Sequence, residues 1–274
     1  MLAQRIKTIM PKMTFEEILE VTKIYSIKGI NNSLVYERPF RSPHYSITKV
    51  ALIGGGQDAK PGEISLATNG VLFLDEFPEF TRPVLESLRL PLEERKIVIN
   101  RANATYVYPA NFMLVAAMNP CPCGYFGSLE KECKCSAKDI SKYLRKLSGP
   151  LLDRIDIQVE VASNRNKIFE KNEEESSNEI RKRVERARLI QNERNNNKTN
   201  SELSNKQIQD HCKINEKTKE MLFKAVKNLK LSNRSILKVV KVARTIADLE
   251  NKEQIEEKHI LEALQYRAID KKYI

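Results

Sequence analysis

The sequence predicts an α/β domain followed by an all-helical one, and three observations carry that prediction. Apolar runs end abruptly on polar groups, at Val71–Leu74 before Asp75 and Glu76 and in FMLVAAM before Asn119. Such runs read as strands buried on both faces, the habit of parallel sheets. Helical patterns and a hairpin separate these runs, and after Val161 every apolar pattern has helical spacing.

The elements follow in order. Leu2, Ile6 and Ile9 predict a first helix, which Pro11 closes. Phe15–Ile27 predicts a second. RPFRSPHYSITKVALIGGGQDAKPGEISLA is rich in Pro and Gly and reads as a long irregular insertion. GVLFLD is the first buried strand. Arg82–Glu94 is an amphipathic helix with a break expected at Pro91. KIVIN and TYVYP form a hairpin, Phe112–Asn119 a second buried strand and Arg154–Val161 a third. The polar run SNRNKIFEKNEEESSN reads as a linker, and four helical patterns follow it. The expected organisation is a core at 1–162, with an insertion at 38–66, the hairpin at 96–109 and a Cys-rich loop at 120–136. A linker at 163–178 and a helical domain at 179–274 complete it.

The 274 residues are 41% hydrophobic and 30% charged, the balance of a globular protein. No apolar stretch approaches membrane-spanning length and the N-terminus lacks a secretory core, so a cytoplasmic protein without membrane partners is expected. The formal charge of +11 favours polyanions such as nucleic acid, although it is spread along the chain and also fits solvated basic faces.

The polar ends of the buried runs carry the chemistry. Open parallel sheets bind ligands at the carboxyl ends of their strands. Asp75 suits the role of holding Mg²⁺, and Glu76 that of polarising a water. Asn119 closes the second run, where an amide can bond a phosphate or that water. Arg154, in SGPLLDRID, can offset charge on a transferring phosphoryl group. Each has an ordinary alternative: solvated acids, an Asn opening a turn before Pro120, and a salt bridge from Arg154 to Asp153 or Asp156.

Taken in order, RPFRSPHYSI, PGEISLATNGVLFLDEFPEF, YPANFMLVAAMNPCPCGYFG, SGPLLDRIDIQVEV and SNRSILKVVKVARTIADL resemble the magnesium-chelatase-like AAA+ ATPases of the ComM/YifB subfamily. The resemblance covers nearly the whole chain. It implies an AAA+ P-loop-type parallel sheet with a helical lid, ATP and Mg²⁺ as cofactors, and a hexameric helicase that drives branch migration of DNA. It makes Asp75 and Glu76 the Walker B pair, Asn119 sensor 1, Arg154 an arginine finger acting on a neighbouring subunit, and Arg234 sensor 2. Arg95, Lys96 and Arg101, on a hairpin matching the one that precedes sensor 1 in this clade, are then expected to touch DNA; basic residues that protect an exposed edge are the alternative.

The glycine loop GxxxxGK[ST] is absent, and Gly54–Gly56 is no substitute. In the family that loop leads directly into a helix like MLAQRI, so the chain is expected to begin just after it and to lack the family's N-terminal domain. Poor ATP binding, little turnover and a weakened sheet are expected of this polypeptide. A non-catalytic remnant or subunit-binding module, and a metal-chelatase motor subunit, are the competing readings.

Four of the five cysteines, Cys121, Cys123, Cys133 and Cys135, lie within CPCGYFGSLEKECKC. Paired thiols in a cytosolic chain suggest a closed, structural Zn²⁺ site, against the alternative of four reduced cysteines in a loop. Cys212 stands apart and reads as a core residue.

Overall fold

The structure is a computed structural model that describes residues 2–30, 33–128, 131–161, 175–229 and 232–267. Most of the linker expected at 163–178 lies outside the described residues. The chain divides into two units, Met1–Thr8 with Lys12–Arg154, and Ile9–Pro11 with Ile155–Ile274.

The first unit carries, in order, α1 (Leu2–Ile9, whose last residue groups with the second unit), α2 (Phe15–Lys28), β1 (Phe40–Arg41), α3 (Lys49–Ile53), β2 (Gly54–Gly55), β3 (Lys60–Pro61), α4 (Glu63–Leu66) and β4 (Val71–Leu74). It continues with α5 (Arg82–Ser87), α6 (Arg89–Glu94), β5 (Lys96–Asn100), β6 (Thr105–Pro109), β7 (Met113–Ala116), α7 (Ala137–Leu144) and α8 (Gly149–Leu152). The run that predicts a buried strand is β4, at the centre of a parallel sheet of order β1-β4-β7. Val71, Leu72 and Leu74 have no exposed surface, which accounts for the unbroken apolar sequence. The close approach of β4 to the chain before β1 demands Gly70, since a Cβ there would stand 2.1 Å from the Pro39 carbonyl oxygen. β5 and β6 form the expected antiparallel hairpin, with Lys96 opposite Pro109. Local signals agree: α2 begins in a capping box between Thr14 and Glu17 and ends on left-handed Gly29.

Four expectations need correction. The run over Phe112–Asn119 is not a buried strand, because β7 covers only Met113–Ala116 at the edge of the sheet, with Met113 exposed and the rest half-buried. The stretch at 38–66 is only partly irregular, because it contributes β1 to the main sheet as well as α3 and α4. The helix over Arg82–Glu94 breaks at Leu88 rather than at Pro91, which lies inside α6. The pyrrolidine ring removes an N–H and crowds the carbonyl four residues upstream, so the interruption falls a turn earlier. Ile155–Glu160 is not a strand. Its Gln158 N–H donates to the Tyr266 carbonyl within the second unit, and Ile157 and Val159 are exposed, so the alternating pattern has no ladder on these residues.

The second unit is helical, with α9 (Ser177–Arg194), α10 (Asn205–His211), α11 (Glu216–Leu229), α12 (Asn233–Leu249) and α13 (Glu257–Gln265), so α10 adds a short helix to the four expected. Its core gathers Leu222, Val239, Ala243, Ile255, Ile260 and Cys212 among others, so Cys212 is the core residue expected. Beside that core lies a buried charge network. Asp248 Oδ1 accepts from Arg194 Nη1 at 2.7 Å and Arg244 Nε at 3.1 Å. Its Oδ2 accepts from Arg194 Nη2 at 2.8 Å and Asn200 Nδ2 at 2.7 Å. Arg244 also donates to the Glu253 and Lys252 carbonyls, which close the chain after α12.

Candidate functional site

Parallel pairing brings Asp75 and Glu76 beside the segment that carries Asn119. Leu74 pairs with Ala116, the Ala117 N–H donates to the Leu74 carbonyl at 2.9 Å, and the Phe77 N–H donates to the Ala117 carbonyl at 2.9 Å. Asp75 and Glu76 therefore leave β4 beside the segment that carries Asn119 away from β7. All three side chains are exposed. The Glu76 N–H donates to Asp75 Oδ1 at 2.9 Å, which orients the first carboxylate. Glu76 has left-handed backbone, with φ 51°, and so turns the chain sharply at the end of the strand.

Tyr143 on α7 ties these groups together, and the sequence reading missed it. Burial pushes its hydroxyl up to about 12, with the charges of Glu79, Cys121 and Glu76 acting the same way against a hydrogen bond from the Asn119 backbone. Its signal was present in the apolar spacing of Ile140, Tyr143 and Leu147, which marks the inward face of α7.

The cysteine loop folds back on the same place. Gly124, at φ 81°, faces the Asn119 amide, and a Cβ on it would sit 3.8 Å from Asn119 Cγ. All four thiols converge, with every pair of sulfurs within 4.8 Å. Cys121 Sγ stands 3.3 Å from Cys123 Sγ and 3.6 Å from Cys133 Sγ, and Cys123 Sγ is 3.6 Å from Cys133 Sγ. Four sulfurs each ~2.3 Å from one tetrahedral ion stand about 3.8 Å apart, so the set fits Zn²⁺. A hydrogen bond from the Tyr125 backbone pulls Cys123 down to about 6, with help from the neighbouring sulfurs. A hydrogen bond from the Cys123 backbone lowers Cys135, but the Cys123 sulfur, burial and the Cys121 and Cys133 sulfurs together raise it to about 12.

The basic residues are placed differently. Arg154 is held within its own unit: Nη2 meets Glu93 at 2.6 Å, Nε donates to the Arg89 carbonyl at 3.2 Å, and 9% of its side chain is exposed. Its ion-pair partner is Glu93 rather than Asp153 or Asp156. Arg95 donates to Asn111 Oδ1 at 3.2 Å, exposed Lys96 lies 3.7 Å from Glu94, and Arg101 reaches the Gly56 carbonyl. Arg234 is exposed in the first turn of α12, in the second unit.

Asp75 and Glu76 offer hard oxygen donors of the kind Mg²⁺ takes, with an amide alongside. Gly54–Gly56 lies in β2 and the turn after it, apart from these strand ends in the topology, and does not form a phosphate cradle beside them. The residues present fit the metal and water side of a nucleotide site.

This arrangement is that of a parallel-sheet domain of the magnesium chelatase class. Residues 1–168 match the family described as magnesium chelatase, subunit ChlI, and residues 174–267 match its C-terminal counterpart. The chain belongs to this family and is of the ComM/YifB type within it. It is 46% identical over 98% of its length to Competence protein ComM of Haemophilus influenzae, and 42% identical over 99% to YifB of Salmonella typhimurium. A protein of Mycobacterium bovis, Mb2921c, is 39% identical over 91% of this chain. The chain spans about half the length of these relatives, 53%, 54% and 50% respectively. Among the described residues, no helix is long and apolar enough to cross a membrane.

Proposed function

We propose that this chain is the motor portion of an AAA+ ATPase that remodels DNA as a ring. The observation that supports the reading is the placement of Asp75 and Glu76, at the end of β4, beside the segment that carries Asn119 away from the paired β7. A relative named a competence protein agrees with DNA as the partner. In this reading Asp75, steadied by the Glu76 N–H, would hold Mg²⁺, which would supply charge neutralisation for phosphate. Glu76 accepts the proton of the attacking water, and Asn119 orients it. Arg154 acts on a neighbouring subunit's nucleotide after releasing Glu93, Arg234 senses the nucleotide, and Arg95, Lys96 and Arg101 contact DNA phosphates. The cysteine quartet binds one Zn²⁺ per chain as a closed structural site.

Two measurements test this. Joined in frame to a strand and GxxxxGK[ST] loop, the chain gains Mg²⁺-dependent ATP turnover that Glu76→Gln abolishes. Turnover indifferent to Glu76 overturns the assignment. The chain by itself binds ATP weakly, and micromolar affinity with Glu76-dependent hydrolysis would contradict that part.

A non-catalytic, subunit-binding role is the second reading. The seating of Arg154 against Glu93 favours it, since a guanidinium so engaged contributes nothing to another subunit's site.

A further inference from the structure

The turn after β4 and helix α7 enclose a surface cavity of about 790 Å³ within the first unit. Its wall carries Arg82, Lys138, Lys142, Arg145 and Lys146 against one acid, Glu79. Lys146 already pairs with Glu79 at 3.0 Å and lies 5.6 Å from the Tyr143 ring. Lys138, Lys142 and Arg145 are exposed and follow one another at intervals of four and three residues, so they form one stripe along α7, about a turn or 5.4 Å apart. The opposite face, with Tyr143 and Leu147, is buried and fixes that stripe outward. The stripe has the form of a rail rather than a cup, with cations spaced along a line instead of converging on a point.

We propose that this groove is a second nucleic-acid contact, which takes the sugar-phosphate backbone of a single strand without regard to sequence. Charge complementarity selects the occupant: a linear row of ammonium and guanidinium groups matches a linear row of phosphates. Phe80, the aromatic residue of the wall, is buried, which leaves no ring for base stacking and so no basis for sequence preference. The same lack of exposed apolar anchors disfavours a lipid surface. The inference rests on the proposed DNA reading, and extends it to residues outside the hairpin.

The test is fluorescence anisotropy of the full chain with labelled oligothymidine across a salt series. Lys138→Gln, Lys142→Gln and Arg145→Gln combined should weaken binding about tenfold or more and make the log-log salt slope shallower by about 2, since each lost phosphate contact on a single strand is worth about 0.7. Lys138→Arg with Lys142→Arg should retain binding. Neutralising Lys217, Lys219 and Lys224 on α11 removes the same net charge and should change little; an equal loss there overturns the proposal in favour of bulk charge. Unchanged affinity and slope in the α7 triple variant, with its circular dichroism intact, also overturns it. If Arg95→Gln, Lys96→Gln and Arg101→Gln weaken binding while the α7 variant does not, the groove fails and the DNA reading stands. If the unaltered chain binds no oligothymidine, both fail. Binding to phosphatidylserine vesicles but not to oligothymidine, lost in the α7 variant, assigns the groove to membranes and overturns the proposal.

Discussion

At Asp248 a carboxylate is wholly buried and accepts four hydrogen bonds from Arg194, Arg244 and Asn200. At Asp75 a carboxylate stands exposed at the end of a strand, with Glu76 beside it and Asn119 nearby. The two clusters draw on similar polar residues for opposite ends. In the helical unit every lone pair of the acid is taken, so the cluster fixes α9 and the loop after it against α12. In the sheet unit the exposed acids keep capacity for a ligand. A saturated polar group is architecture, and an unsaturated one on a rigid strand end is a site.

Three substitutions sharpen or break that contrast. Asp248→Ala should have the largest effect, a loss of about 3 kcal/mol in denaturant unfolding of the helical unit, because the buried Arg244 and the partly buried Arg194 lose the carboxylate that balances their charge. Cys121→Ser with Cys133→Ser should abolish zinc by elemental analysis and lower the thermal transition of the sheet unit by less than Asp248→Ala lowers that of the helical unit; protein purified without chelator that contains no metal removes the zinc assignment. Glu76→Gln should be the smallest, within about 0.5 kcal/mol of the parent, as for an exposed group outside the packing. If Glu76→Gln proves as damaging as Asp248→Ala, the acids at the strand end are structural and the distinction collapses.

The two units were legible in different ways, since α9, α11, α12 and α13 fall where apolar spacing predicts helices and the sheet unit is marked by its buried run. Val71–Leu74 announces itself because a parallel strand must be apolar on both faces, and acids at the end of such a run have few structural uses. The cysteine quartet is legible because four thiols in one short loop have little else to do. Phe40–Arg41 was hidden, since two residues carry no periodicity and the strand exists through its pairing with Val71 and Leu72. The break at Leu88 was hidden because proline acts on the preceding turn. Asp248, in ADLE, looks like any solvated helix acid; its burial depends on Arg194 and Asn200, roughly fifty residues away in sequence. The spacing of Ile140, Tyr143 and Leu147 marked Tyr143 as inward-facing, but its contact with the Asn119 backbone was hidden.

The left-handed turn at Glu76 has one more consequence. A side chain bearing a Cβ gives up about 1–2 kcal/mol in that conformation, and glycine recovers most of it against an entropic cost of about 0.5–1 kcal/mol. Glu76→Gly is therefore expected to make the folded chain slightly more durable and chemically mute. On the proposed role of Glu76, thermodynamic comfort and reactivity ask for different amino acids at this position.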